Sequence, residues 1–320
     1  MTRLTRRTLL ATALTTQAVA QPVYPTRAIR LLVPFPAGGP TDLAARIIAT
    51  DLGASLGQTI IVDNRGGAGG NIAAADVAKA APDGYTLLLA TTGTNAINAA
   101  LYKSPGYDHL RDFRGVALFA SAPNLLLVNP TLPATSMADY IAVAKARPGQ
   151  LQIAIAGFGT TPHMTAELLK LAAGIDITLV PYKGGGQAMT DLIGGHVMGM
   201  IDNVPTALPH IRSGSIRALG ISSLEPSPVL PGVPTIAGTL PGFESLAWWG
   251  LAAPAKTPDG IVHRLNQAVN QLLATDQVRR RYADLGATVQ PLSPASLDAF
   301  IQSETTKWAA VVKATGAKLE

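Results

Sequence analysis

Ten residues, VPFPAGGPTD at positions 33–42, bring together groups that can hold an anion without reacting with it. They follow an apolar run, Ile29–Val33, and precede a stretch in which Leu43, Ile47, Leu52 and Leu56 recur every four or five residues, so they form a strand-to-helix junction. Pro36, Ala37, Gly38 and Gly39 make a loop that a ligand can approach closely. Pro40 suits the first helical turn, and the unpaired amides of that turn attract negative charge. Thr41 adds a hydroxyl. Asp42 works the other way: a carboxylate in the first turn answers the helix dipole itself, so its expected role is to hold the loop or bound water. A Gly-Gly-Pro sequence also serves simply as a sharp turn, and one such loop does not make a site.

The same grammar recurs in AIAGFGTTPHMTAELL, residues 154–169. Gly157 and Gly159 flank Phe158, Thr160 and Thr161 carry hydroxyls, and Pro162 marks the start of a helix for which Thr161 is a candidate N-cap. His163 is either a packing residue or a ligand contact, and Phe158, between two glycines, either joins a core or walls a cleft. If the two junctions face each other, two helix N-termini converge on one anion. Thr92, with Thr91, Thr94 and Asn95, ends another strand and offers neutral donors, or is a plain turn. Asp202 and Asn203 end a further strand, either capping the next helix or reaching into the cleft.

Reactive chemistry is poorly provided for. Gly53-Ala54-Ser55-Leu56-Gly57 matches G-x-S-x-G, but it closes a helix and precedes a strand at Ile60, the reverse of a nucleophile elbow. The five histidines, at 109, 163, 196, 210 and 263, lack zinc-site spacing, and the absence of cysteine removes disulfides, thiolate ligands and a thiol nucleophile. NRGGAGGN (64–71) lacks the dinucleotide register and YKGGGQAMTDLIGG (182–195) is not a P-loop, so no cofactor is expected. A hydrolase or lyase using the same anion cradle stands as the alternative.

The elements that would position these loops alternate short apolar runs with Ala-rich helical stretches, the pattern of βαβ units. Strands are expected at Ile29–Val33, Ile60–Val62, Thr86–Ala90, Val116–Ala120, Leu125–Val128, Gln152–Ala156, Thr178–Val180, Met198–Asp202, Arg217–Ile221 and Trp248–Ala253. Late helices are expected over Pro258–Thr275 and Ser296–Ala314, and Glu225–Pro241, with five prolines, as an irregular surface loop. Two short apolar crossings, Ser121-Ala122-Pro123 and Phe243–Trp249, predict a split first domain, 21–121 with 251–320, and a second domain at 122–250. Such an arrangement leaves a cleft suited to a small ligand.

The chain has 320 residues, 48% apolar and 14% charged, enough for two domains with real cores. Three of its 25 basic side chains, Arg3, Arg6 and Arg7, fall in the first seven residues; without them the excess over 20 acidic groups shrinks to two. A near-neutral body without interleaved aromatic and basic residues argues against nucleic acid as a partner. Those arginines, the apolar stretch 9–19 and Ala18-Val19-Ala20 predict a cleavable signal peptide over 1–20, of Sec or twin-arginine type, and a periplasmic product. No later stretch has 18 uninterrupted apolar residues.

With these blocks in order, VPFPAGGPTD, DNRGGAGGN, APDGYTLL, GFGTTPH, VPYKGGGQAMTDLIGG and WWGLAAPAKTP, nearly the whole mature chain resembles the Bug-type extracytoplasmic solute receptors, the substrate-binding components of tripartite tricarboxylate transporters. The resemblance implies a two-domain α/β periplasmic binding protein of the type II-like Venus flytrap kind, a monomer that captures a small carboxylate for a membrane permease of that transporter type, or for a sensor protein. Its ligand loops, carried onto this sequence, are Pro36, Ala37, Gly38 and Gly39 with Thr41 and Asp42, and Gly157, Phe158, Gly159, Thr160 and Thr161 with His163; Thr92 and Asp202 rank second. Phe158 stands where relatives are expected to carry a small or polar residue.

Overall fold

The computed structural model describes residues 24–319; the expected signal peptide lies outside them. Its strands are β1 (Ile29–Val33), β2 (Ile60–Asn64), β3 (Thr86–Thr91), β4 (Phe113–Val128), β5 (Gln152–Ile155), β6 (Thr178–Pro181), β7 (Gly199–Asn203), β8 (Arg217–Ile221), β9 (Leu246–Pro254) and β10 (Thr288–Val289). The helices are α1 (Pro40–Leu56), α2 (Asn71–Ala78), α3 (Asn98–Leu101), α4 (Met137–Ala146), α5 (Thr161–Ala173), α6 (Gly185–Ile193), α7 (Val204–Arg212), α8 (Asp259–Leu273), α9 (Asp276–Asp284) and α10 (Pro294–Thr315). The strands run in the order β2-β1-β3-β9-β4-β7-β5-β6, with β8 and β10 also paired to β4.

The central strand joins two halves. Phe113–Pro123 of β4 pairs antiparallel with β9, and Asn124–Val128 pairs antiparallel with β7 and β8. Sequence reasoning broke this stretch into two strands around Ser121-Ala122-Pro123, and the structure makes it one. Pro123 lies in the gap between the last β10 pair, Ser121 with Thr288, and the first β8 pair, Leu125 with Ile221, so on that side its missing N–H costs no ladder bond.

Each half is a three-layer sandwich, because its strands alternate apolar side chains to both faces. In the first half Leu31, Leu87, Leu89 and Trp249 face the core under α1, α8 and α9, while Leu32, Leu88, Ala90 and Trp248 face the opposite core beside α2, α3 and α10. In the second half Leu126, Val128, Ile153 and Ile155 pack with α4 and α5, and Leu125, Leu127, Ala154 and Met200 with α6 and α7. Helix α1 ends at Gly57, a left-handed cap at φ 67°, which leaves Ser55 exposed at the helix terminus and not at a strand-to-helix bend. The proline-rich loop is irregular, yet it buries Leu230, Val233 and Ile236.

Candidate ligand-binding site

Four strand-to-helix junctions meet around a cavity of about 720 Å³. The first half supplies the Phe35–Thr41 loop, Thr91, Thr92 and Gly93, and the backbone-adjacent pair Trp248 and Trp249; the second supplies Thr160, Thr161 and Pro162, Lys183 to Gln187, Asp202, Asn203, Pro205, Thr206 and His210. The N-termini of α1, α5, α6 and α7 therefore open on one space. Sequence reasoning named the α1 and α5 junctions, with Asp202 before α7, and passed over α6. The signal for α6 is in the sequence all the same: Gly184-Gly185-Gly186 stands between a strand and a helix as the other glycine pairs do, although it does not match the P-loop pattern. A second hollow of similar volume lies between the end of α1 and β2, lined by Arg46, Thr50 and Gln58 among others, and shares none of these loops.

At the first junction Asp42 stands behind the loop, outside the cavity wall. Its Oδ2 accepts from the Gly38 amide at 2.9 Å and from Arg46 Nε at 2.9 Å, and its Oδ1 accepts from Asn64 Nδ2 at 3.0 Å. Asn64 also donates to the Phe35 carbonyl at 3.0 Å, so the loop is pinned at both ends. Burial pushes the Asp42 carboxyl up, but the bonds from Arg46, Gly38 and Asn64 outweigh it and hold the group below the usual carboxylate range. Gly38 carries φ +81°, the one position of the loop that needs glycine for its backbone. Thr41 Oγ1 accepts from the Trp249 indole N–H at 3.2 Å, and Thr92 Oγ1 accepts from the Trp248 amide at 2.9 Å. Each hydroxyl thus spends a lone pair on the protein and keeps its proton to give.

The second junction divides its two threonines. Thr160 is the N-cap: its Oγ1 donates to the Gly157 carbonyl at 2.8 Å and accepts from the His163 amide at 3.3 Å, so its hydroxyl is committed although it touches the cavity. This corrects the assignment of the cap to Thr161, whose position one residue further on places it inside the helix, at the cavity wall with no hydrogen bond from its hydroxyl to the described residues. No acidic residue occupies the first turn of α5.

Gly157, Phe158, Gly159 and His163 do not line the cavity. Phe158 packs against the α4/α5 core and edge-on to His163, with ring centroids 5.0 Å apart, so it is a core-side residue and not a cleft wall. His163 is buried; its Nδ1 accepts from the Gly159 amide at 3.4 Å, and desolvation, with Lys170 adding, lowers its pKa to about 4, so it is neutral. Gly159 meets the other half of the molecule, where an added Cβ would stand 2.7 Å from Asn98 Oδ1 and 3.0 Å from the Tyr102 ring. The second loop is thus a contact between halves as well as a helix start.

Asp202 is fully buried at the cavity wall. Its Oδ1 accepts from the Asn203 amide at 2.8 Å and its Oδ2 from the Thr206 hydroxyl at 2.6 Å. Desolvation raises its pKa to about 6 against the pull of those two bonds. Asn203 turns inward instead, donating from Nδ2 to Asn124 Oδ1 at 2.8 Å.

A family model described as the tripartite tricarboxylate transporter family receptor, TctC, matches residues 44–317. The chain belongs to this family. As a TctC-family receptor it is 42% identical over 313 residues to Protein BugT of Bordetella pertussis, covering 97% of this chain and 96% of that one. Among solved structures it is similar to R. palustris Rpa4515 with adipate, at 40% identity and a TM-score of 0.88 over 92% of this chain and 98% of that chain. It is also similar to MatC from Rhodopseudomonas palustris with bound malate, at 40% identity and a TM-score of 0.84 over 90% of this chain and the whole of the other. These likenesses make the receptor a two-domain periplasmic-binding-protein fold, with the cavity at the junction of its halves.

Proposed function

We propose that this receptor captures a small carboxylate reversibly in the cavity between its halves and presents it to a membrane permease of the tripartite tricarboxylate transporter type. The observation that carries the reading is the direction of the hydrogen bonding at the wall: Thr41 and Thr92 are held as donors by the two tryptophans, and the first turns of α1, α6 and α7, which lack a side-chain cap, face the same space as the first turn of α5. Charge-assisted bonds of this kind contribute about 1.5–3 kcal/mol each, and a few of them, after ordering costs, give micromolar binding near −8 kcal/mol. That similar receptors are described with adipate and with malate supports a carboxylate of four to six carbons. The reading takes 21–121 with 251–320 as one lobe and 122–250 as the other. The change of β4 partners at Pro123/Asn124 supports the first boundary, and the pairing of β9 from Leu246 onward moves the second a few residues earlier. It also places the mature chain in the periplasm as a monomer without catalytic turnover; no helix among the described residues is long and apolar enough to cross a membrane.

Calorimetry with a panel of aliphatic, hydroxy, amino and aromatic carboxylic acids tests it. One acid should bind at one per chain and be recovered unchanged after prolonged incubation. Consumption of the bound acid with catalytic kinetics would establish an enzyme instead, and no binding by any acid would remove the proposal.

A further inference from the structure

The cavity that should receive an anion carries an anion-forming group of its own. Asp202 sits where β7 meets α7, and its carboxyl faces the first turn of α6: a Cβ built on Gly185 would stand 3.2 Å from Asp202 Oδ2 and 3.6 Å from Oδ1. Its two bonds, from the Asn203 amide and the Thr206 hydroxyl, are both neutral. Among the described residues no cation forms a salt bridge with it. The titratable side chains that share the wall are Lys183, on the loop before α6, and His210 on α7, and neither forms a salt bridge with Asp202. From the other packed elements, α5 offers His163, turned to Gly159 and neutral, and Glu167, beside Lys170; β4 offers Leu125 opposite and Asn124 next to it; and Asp191 of α6 accepts from the Tyr182 hydroxyl. Asp42, the remaining carboxylate near the cavity, is consumed by Gly38, Arg46 and Asn64.

Resting on the reading of this site as a carboxylate receptor, we propose that Asp202 is a specificity-determining residue that binds in its neutral form, so that the receptor takes up a proton together with its acid. Two carboxylates enclosed without a cation repel strongly, since charge–charge energies grow as water is excluded. Protonating Asp202 removes the repulsion and turns an acceptor into an O–H donor at the cavity wall. The cost is small, because burial has already brought the group to about pH 6 in the empty site. The same residue then discriminates among acids: one that arrives with its own ammonium group gains nothing from a neutral partner, whereas one bearing only carboxylate and hydroxyl groups does.

The sign follows from linkage. An acid that raises the pKa of Asp202 above its empty-site value binds more tightly as the pH falls from that higher value towards about 6, and the dependence levels off below it. The affinity for adipate, or for malate if adipate does not bind, should tighten about fivefold per pH unit between pH 8 and 6 and never more than tenfold. Calorimetry at pH 7 in two buffers of different ionisation enthalpy should show uptake of about 0.5–1 proton per acid bound. Asp202→Asn should bind at pH 7.5 at least as tightly as the wild type does at pH 6, with no pH dependence.

Binding that is flat from pH 6 to 8 with no proton uptake overturns the inference and leaves the receptor reading intact. A folded Asp202→Asn protein that loses adipate and malate affinity more than tenfold also overturns it, because the ligand would then need the ionised carboxylate, as an ammonium-bearing acid does. If that variant does not fold, the two-buffer measurement on the unaltered protein decides. Failure of every acid at every pH removes the functional reading and this inference together.

Discussion

The two glycine loops that meet at the cavity look alike in sequence and are held in opposite ways. The α1 loop is fixed by a buried carboxylate, Asp42, which occupies the first helical turn and takes the Gly38 amide for itself. The α5 loop is fixed by neutral groups, the Thr160 hydroxyl and the His163 ring, and no acidic residue stands in its first turn. A helix N-terminus attracts negative charge whether it comes from the chain or from outside. The α1 end has spent part of that attraction on its own structure, and the α5 end has it available. On the proposed reading, one loop therefore supplies shape and hydroxyls, and the other supplies the electrostatic pole.

The largest effect should come from making the second loop resemble the first. Thr161→Asp puts a carboxylate into the first turn of α5, at the cavity wall. Stability should hold or rise by about 0.3–1 kcal/mol through the helix dipole. Affinity for the acid should fall at least a hundredfold, or about 2.7 kcal/mol. Calorimetry and a melting curve on the same sample read the two opposite signs, and retained affinity would show that α5 is not the pole.

Next in size is Asp42→Asn, which weakens the bonds that pin the first loop. A folded-state pKa below the ordinary value means that Asp42 stabilises the protein above about pH 4 and ceases to do so as the pH falls through its folded pKa. The variant should lose about 1–3 kcal/mol at pH 7, with the gap to the wild type closing in acid. Denaturant unfolding at pH 7 and at pH 3 measures it. Affinity should fall only severalfold, since Asp42 is outside the cavity wall.

The smallest effect on binding should follow Thr160→Val. Its hydroxyl is committed to Gly157 and His163, so its loss should cost about 0.5–2 kcal/mol of stability as a missing N-cap and change affinity less than threefold. A tenfold fall in affinity would return to Thr160 a contact with the ligand.

Most of the strand positions were legible because runs such as β1, β3 and β5 are apolar on both faces, and β1, β2, β5 and β6 lead into glycine-rich turns. What escaped notice was contextual. Ser121-Ala122-Pro123 reads as a break, and only the gap between β10 and β8 explains why a proline is tolerated there. Helix α9 carries Arg279-Arg280-Arg281 and only Val278 and Tyr282 as buried residues, too few to mark a periodic face. At the site, Asp42 as a loop holder was readable from its place in the first turn. The division between Thr160 and Thr161 was not, because it depends on which residue is extended: Thr160 has φ −93° and ψ 162°. The place of Phe158 is illegible for a related reason, since its aromatic partner, His163, is brought beside it by a helix turn and not by a neighbouring apolar run.

The passage of β4 through both halves, with β9 paired beside it from Pro254 to Leu246, also has a kinematic meaning. A crossing made of loop would leave one half free to swivel and slide against the other. Two hydrogen-bonded strands resist shear and twist and yield chiefly to bending across their length, so the relative motion is confined near a single axis. If the halves open and close around an acid, the search is then one-dimensional: the start of α5 would swing towards the α1 loop or away from it along a fixed arc, and most of the orientational entropy of assembling the site would already have been removed when the sheet folded.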